Sequence, residues 1–213
     1  TMMGDFVAAL NDITGSLAEL AAPQGGELGN DPGARALRRV LSDLSTKVVM
    51  PNAAPGAPQT LGEAFGYINT VTAPTIDDLK VMVLLEAAGL ELYRSISAGS
   101  DNPAVVALLE HNGREEVAHS HRVAKAILAI SGEPFPPPED PDNPYLNGPM
   151  LEFPLTAEGL RGLAQAEVAG EQLYECWAAN CDNAEAARLF RLNGKEEAEH
   201  GGRLLEAAAL LEG

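Results

Sequence analysis

Hydrophobic positions recur with helical spacing along most of this chain. Phe6, Leu10, Ile13, Leu17 and Leu20 alternate spacings of four and three, which lines one face of a helix over 5–21. Leu37, Leu41, Leu44 and Val48 form a second stripe over 34–49. The stretches 23–33 and 51–58, rich in glycine, proline and asparagine, read as loops. Thr60-Leu61-Gly62-Glu63 has the form of a capping box and opens a short helix. Residues 1–74 thus read as an N-terminal helical extension.

Beyond it the pattern settles into two helical hairpins, 75–131 and 156–212. Helices are expected near 75–98, 102–131, 156–180 and 183–212, with Asp101-Asn102 and Asp182-Asn183 as short turns and N-caps. Between the hairpins, 132–155 carries Pro134, Pro136, Pro137, Pro138, Pro141, Pro144, Pro149 and Pro154, so it cannot be a helix. It is long enough to run the length of a bundle. Short turn, long crossover, short turn predicts an all-α four-helix bundle over 75–213.

Charge removes several functions. Asp and Glu number 31 against 14 Lys and Arg, a formal net charge of -17, whereas nucleic acids and anionic membranes are bound through basic patches. Neither partner is expected. The apolar runs fall short of the ~20 residues of a membrane span. The start, Thr1-Met2-Met3-Gly4-Asp5, has no basic segment of the kind that opens a secretory leader, so a cytoplasmic location is expected. Cys176 and Cys181 form no Cys-x-x-Cys pair, which excludes a zinc ribbon, a rubredoxin-type iron site and a cysteine-ligated cluster within this chain.

The hairpins repeat one another. Shifted by 81, residues 75–128 fall on 156–209 without a gap, and 18 of 54 positions are identical. The identities are not mainly apolar. They include Glu86/Glu167, Gly89/Gly170, Tyr93/Tyr174, Asn112/Asn193, Glu115/Glu196, Glu116/Glu197, His119/His200 and Arg122/Arg203.

Each half thus carries a glutamate and, thirty residues on, Glu-x-x-His: Glu86 with Glu116 and His119, and Glu167 with Glu197 and His200. Residues three apart share a helix face. The turn at Asp101 lies midway between Glu86 and Glu116, so the two stand at equal depth in their hairpin. Face-to-face packing of the hairpins gathers all six groups. Four buried carboxylates need counter-charge, and two divalent ions supply +4 against -4. Oxygen and imidazole donors suit iron or manganese. Glu86 and Glu167 read as terminal ligands, Glu116 and Glu197 as bridges, and His119 and His200 as one cap on each metal.

On these paired motifs the stretch 75–212 resembles the ferritin-like di-iron carboxylate superfamily, and within it the rubrerythrin-like group. The resemblance implies that Tyr93 and Tyr174 donate a hydrogen bond to a bridging carboxylate and supply an electron. Rubrerythrins proper add a four-cysteine rubredoxin module, which is lacking here, so electrons would come from a separate donor protein. They also carry a seventh carboxylate where this chain has Gly170, with Gly89 as its repeat mate. Glu171 stands one residue on as a candidate substitute. The two glycines serve either close helix packing or space for a small substrate. Asn112 and Asn193 either orient the opposite histidines or join helices. Arg122 and Arg203 either neutralise or orient carboxylates further along the bundle or end in solvent, the latter favoured, and Glu115, Glu196, His111 and His121 read as outer residues.

The implied function is a two-iron oxidoreductase that reduces hydrogen peroxide or dioxygen, with ferroxidase activity, in defence against oxidative stress. A dimanganese catalase and an iron-storage bundle are the alternatives. The apolar stripes of 1–74 either cover the bundle or form the interface of a homodimer, the latter favoured.

Overall fold

A computed structural model describes residues 58–213 apart from Pro149. The stripes expected over 5–21 and 34–49 lie outside the described residues. The described residues form one compact unit, Pro58–Gly213. They hold five α-helices and no strand: α1 (Leu61–Ile68), α2 (Ile76–Ser97), α3 (Pro103–Ser131), α4 (Ala157–Ala179) and α5 (Ala184–Glu212). The all-α expectation is met, and the four long helices begin and end within a residue or two of their expected limits.

Local chemistry sets those limits. Thr75 and Asp78 make a full capping box at the start of α2. Asn102 caps α3 through the amide of Ala104, with Pro103 at the first helical position, where its missing N–H costs nothing. Asn183 caps α5 through two amides. Thr60 accepts from the Glu63 amide at the start of α1, but Glu63 reaches back to the amide of Gln59, one residue earlier than a capping box requires. Gly132 ends α3 in the left-handed region, at φ 75, which glycine adopts freely.

Packing follows the two hairpins. α2 lies on α3, α4 on α5, and α3 meets α5 along the seam between them. α1 packs on α2. Among its described residues the crossover contains no α-helix, only single 3-10 turns at Asp140–Asp142 and Pro144–Leu146. Buried Asn143 pins it to α2 by donating to the Leu84 carbonyl at 2.8 Å. The apolar core joins Leu92, Ile96, Val105 and Leu109 of the first hairpin to Leu160, Leu163 and Leu204 of the second. No helix among the described residues is long and apolar enough to cross a membrane.

Candidate metal centre

The seam between the hairpins carries its polar groups at mid-depth. Glu86 sits on α2, Glu116 and His119 on α3, Glu167 on α4, and Glu197 and His200 on α5. All six are 9% exposed or less. One donor atom from each of Glu116, His119, Glu197 and His200 lies within 4.8 Å of the others, a grouping that could hold a metal ion. Glu86 and Glu167 flank it, with Glu86 Oε2 3.8 Å from His119 Nδ1 and Glu167 Oε2 3.7 Å from His200 Nδ1. The imidazoles stack, centroids 5.1 Å apart. Glu171 lies outside this group.

The histidine nitrogens divide into two kinds. Each Nε2 faces a carboxylate: His119 meets Glu196 at 3.1 Å, and His200 meets Glu115 at 3.2 Å. An ionised carboxylate only accepts, so each Nε2 carries the proton and each Nδ1 of the neutral ring keeps a lone pair. Both Nδ1 atoms are buried without a hydrogen-bond partner. His119 Nδ1 is 3.2 Å from Glu116 and from Glu197, yet not at hydrogen-bonding angles. In the neutral rings two lone pairs would thus face a space ringed by carboxylate oxygens. That is the donor set a divalent ion needs, and these residues fit one.

The electrostatics carry the same demand for positive charge. Burial, followed by the neighbouring Glu116 and Glu197, drives Glu86 well above the usual carboxylate range. Burial and Glu197 do the same to Glu167. Burial also opposes ionisation of Glu116 and Glu197, but the two imidazoles beside them overcome it and lower both. The imidazoles respond in kind. Burial disfavours their charged form, yet the facing glutamates raise His119 well above its ordinary value and His200 to about 12. Protons hold the cluster together where no metal does.

A second layer orients the histidines, and it corrects the sequence reading. Glu115, Glu196, Arg122 and Arg203 were expected outside. They lie instead across the α3–α5 seam. Arg122 forks onto Glu196 at 2.6 and 3.0 Å and also reaches Asn193 Oδ1 at 3.1 Å. Asn193 Nδ2 donates to the His119 carbonyl at 3.3 Å. In the mirror set, Arg203 binds Glu115 and, at 2.5 Å, Asn112, whose Nδ2 donates to the His200 carbonyl at 3.3 Å. The bond to the His119 ring nitrogen, with Arg122 behind it, holds Glu196 down at about 2 despite partial burial. The asparagines therefore join α3 to α5 through main-chain carbonyls, and the histidine rings are met by Glu115 and Glu196 instead. His111 and His121 are exposed, as expected. Such outer carboxylates typically carry a 10–100-fold share of metal affinity. Glu196→Ala is expected to weaken metal binding by about that factor in competition with a chromophoric chelator, while Glu199→Ala, exposed on the same helix, leaves it unchanged.

The tyrosines need a different correction. Tyr93 donates to Glu167 and Tyr174 to Glu86. The acceptors are the flanking glutamates of the opposite hairpin, not the central pair. Spacing had placed each tyrosine on the right face but could not say which carboxylate crosses to meet it. The glycines also resolve, and unequally. A Cβ on Gly89 would stand 2.6 Å from Glu116 Cβ and Cγ, whereas one on Gly170 would meet Glu197 at 3.4 Å, ordinary contact. Gly89 permits close packing, and both glycines line a cavity that opens onto the carboxylates. Cys176 and Cys181 are free and half-buried.

No protein-family model matches the chain, and no curated protein or solved structure matches it either.

Proposed function

We propose that Glu86, Glu116, His119, Glu167, Glu197 and His200 hold a pair of iron ions, and that the protein is a rubrerythrin-like oxidoreductase of ferritin-like architecture acting on hydrogen peroxide or dioxygen. The observation that carries this reading is the pair of buried Nδ1 atoms, unpartnered and facing four carboxylates. When bound, such a centre supplies the electrons for two-electron reduction of peroxide or dioxygen, restored by a separate donor protein.

The chain's own residues have definite parts in this. Glu196 and Glu115 fix the histidine tautomers and present Nδ1 to the metals. Arg122 and Arg203 offset the charge of those outer glutamates. Tyr93 and Tyr174 keep Glu167 and Glu86 turned inward and hold a proton against each carboxylate. Burial and the surrounding glutamates raise both phenols well above their usual range, so they stay protonated donors at neutral pH.

Elemental analysis after loading tests the proposal. About two irons per chain are expected, lost in the Glu116→Ala/Glu197→Ala double variant, with peroxide consumed only when a reductant is present. Two manganese ions, with peroxide consumed without a reductant, would replace the reading by a catalase. Absence of stoichiometric metal would end it.

A further inference from the structure

α2 and α4 stand on either side of a cavity that both helices line. Its volume is about 400 Å³. Its floor is Glu86, Glu116, Glu167 and Glu197, and its walls are Met82, Leu85, Leu163 and Leu173. Phe65 and Ile68 of α1, with Leu151 and Phe153 of the crossover, form the roof. No Lys, Arg or His lines it. Its other polar side chains, Asn69 and Tyr93, are already engaged: Asn69 Nδ2 donates to the Phe65 carbonyl and the Tyr93 hydroxyl donates to Glu167.

The roof is fastened on both sides. Tyr67 of α1 binds Asp78 of α2. Just beyond α1, the Val71 carbonyl accepts from the Trp177 indole at 2.7 Å, and the Thr72 carbonyl from Asn180 at 3.1 Å, both from the α4 side. Gly62 lets the roof elements meet, since a Cβ there would stand 3.2 Å from Leu151 Cδ2. Gly62, Asn69, Ala166 and Ala169 line the cavity and are exposed, so it opens to solvent beside them.

We propose that this cavity binds a neutral, apolar organic molecule of ten carbons or more, with one end against the four carboxylates. The identification of that molecule as a substrate of the centre rests on the metal reading above. Size follows from scale: an apolar cavity of about 150 Å³ accepts benzene, and this one is between two and three times larger. Chemistry follows from the lining. Peroxide and dioxygen do not need apolar walls two helical turns long. Without a cation in the wall, a carboxylate or phosphate head has no partner and meets four acidic groups. An apolar chain gains from every methylene it removes from water.

The test is calorimetric titration of the full metal-free chain with 1-hexanol, 1-octanol and 1-decanol. One saturable site is expected, with affinity rising about four-fold per methylene. Octanoate should bind at least ten-fold more weakly than 1-octanol. Ala169→Phe, at the mouth, should weaken 1-decanol at least ten-fold. Val168→Phe, exposed beside the mouth but outside the cavity, should bind as the unaltered chain does. In cobalt(II)-loaded protein, 1-decanol should shift the visible d–d bands. Lack of saturable binding, or binding untouched by Ala169→Phe, overturns the proposal. Metal content measured on the same preparations separates the two readings. Alkanol binding without stoichiometric metal sinks the metal centre alone, and metal without alkanol binding sinks the cavity alone.

Discussion

Stripped of metal by a chelator, the protein loses thermal stability as pH rises from 6 to 9, and metal loading reverses the trend. The sign follows from the buried groups. His200, raised to about 12 by the glutamates that face it against the pull of burial, holds its proton more tightly folded than unfolded. Its contribution is complete below the unfolded value near 6.5 and is lost as pH climbs through about 12. His119 is raised in the same way and loses its contribution in the same direction. Glu86 and Glu167, raised chiefly by burial, add stability that is complete below about 4.5 and likewise falls with rising pH. Glu116 and Glu197 are lowered and work the other way. Their contribution is present above about 4.5 and is lost only in acid.

The metal-free chain is therefore most stable in weak acid. A loss of only about 2 kcal/mol between pH 6 and 9 lowers Tm by about 4–8 °C. Divalent ions held by this cluster would take the place of the protons, so their binding would release protons and strengthen with pH. Free metal at about a hundred times its Kd adds about 2.7 kcal/mol. Scanning calorimetry at pH 6, 7.5 and 9, with chelator and with metal, checks both slopes. A metal-free Tm that stays level or rises over this range would show that protons do not hold the cluster.

Trp177→Ala has the largest expected effect of a single substitution. The indole is fully buried. It packs edge-on against Tyr174 at 5.6 Å and Phe190 at 5.8 Å, and its N–H ties the segment after α1 to α4. Truncation of a buried tryptophan costs about 3–5 kcal/mol, so Tm should fall by roughly 6–20 °C. The loss also reaches the site, because Tyr174 leans on Trp177 while it holds Glu86. Metal affinity should fall in Trp177→Ala and be largely restored in Trp177→Phe. A Tm change below about 2 °C would mean that the aromatic cluster does not brace α4.

The helices were legible because their signals are local. Periodic leucines, Asn-capped turns and the proline-rich crossover each act within a few residues, and the structure places helix ends close to where they point. The six clustered residues were legible because spacing on a helix and equal depth in a hairpin follow from backbone geometry alone. What failed was partnership across helices. Glu115 and Glu196 sit one residue before Glu116 and Glu197, rotated about 100°. On an isolated helix that direction is outward. In this bundle α3 and α5 face each other across a seam, and the same direction leads to the neighbour's histidine. For Arg122 and Arg203 the less favoured of two readings, a carboxylate partner, is the one the structure shows. Their recurrence in both halves was the available signal, since a solvent-facing pair has no reason to keep a glutamate and an arginine seven residues apart twice. The acceptors of Tyr93 and Tyr174 were likewise a question of which helix lies opposite. Trp177 has no repeat mate, Ile96 standing in its place, so a comparison of the halves passes over it.

The wiring of the seam makes the two halves interdependent. Tyr93 and Arg203 secure groups of the other hairpin, as do Tyr174 and Arg122, and both histidine Nε2 atoms rest on glutamates from across the seam. A single hairpin holds one Glu-x-x-His and one further glutamate, yet contains none of the partners that aim them. Severed from its counterpart, it would be a pair of helices with misdirected acids. Only two hairpins, joined or as a symmetric pair of identical chains, make a complete receptacle. The duplication in this sequence thus places on one strand of polypeptide what two molecules would otherwise have to meet to assemble.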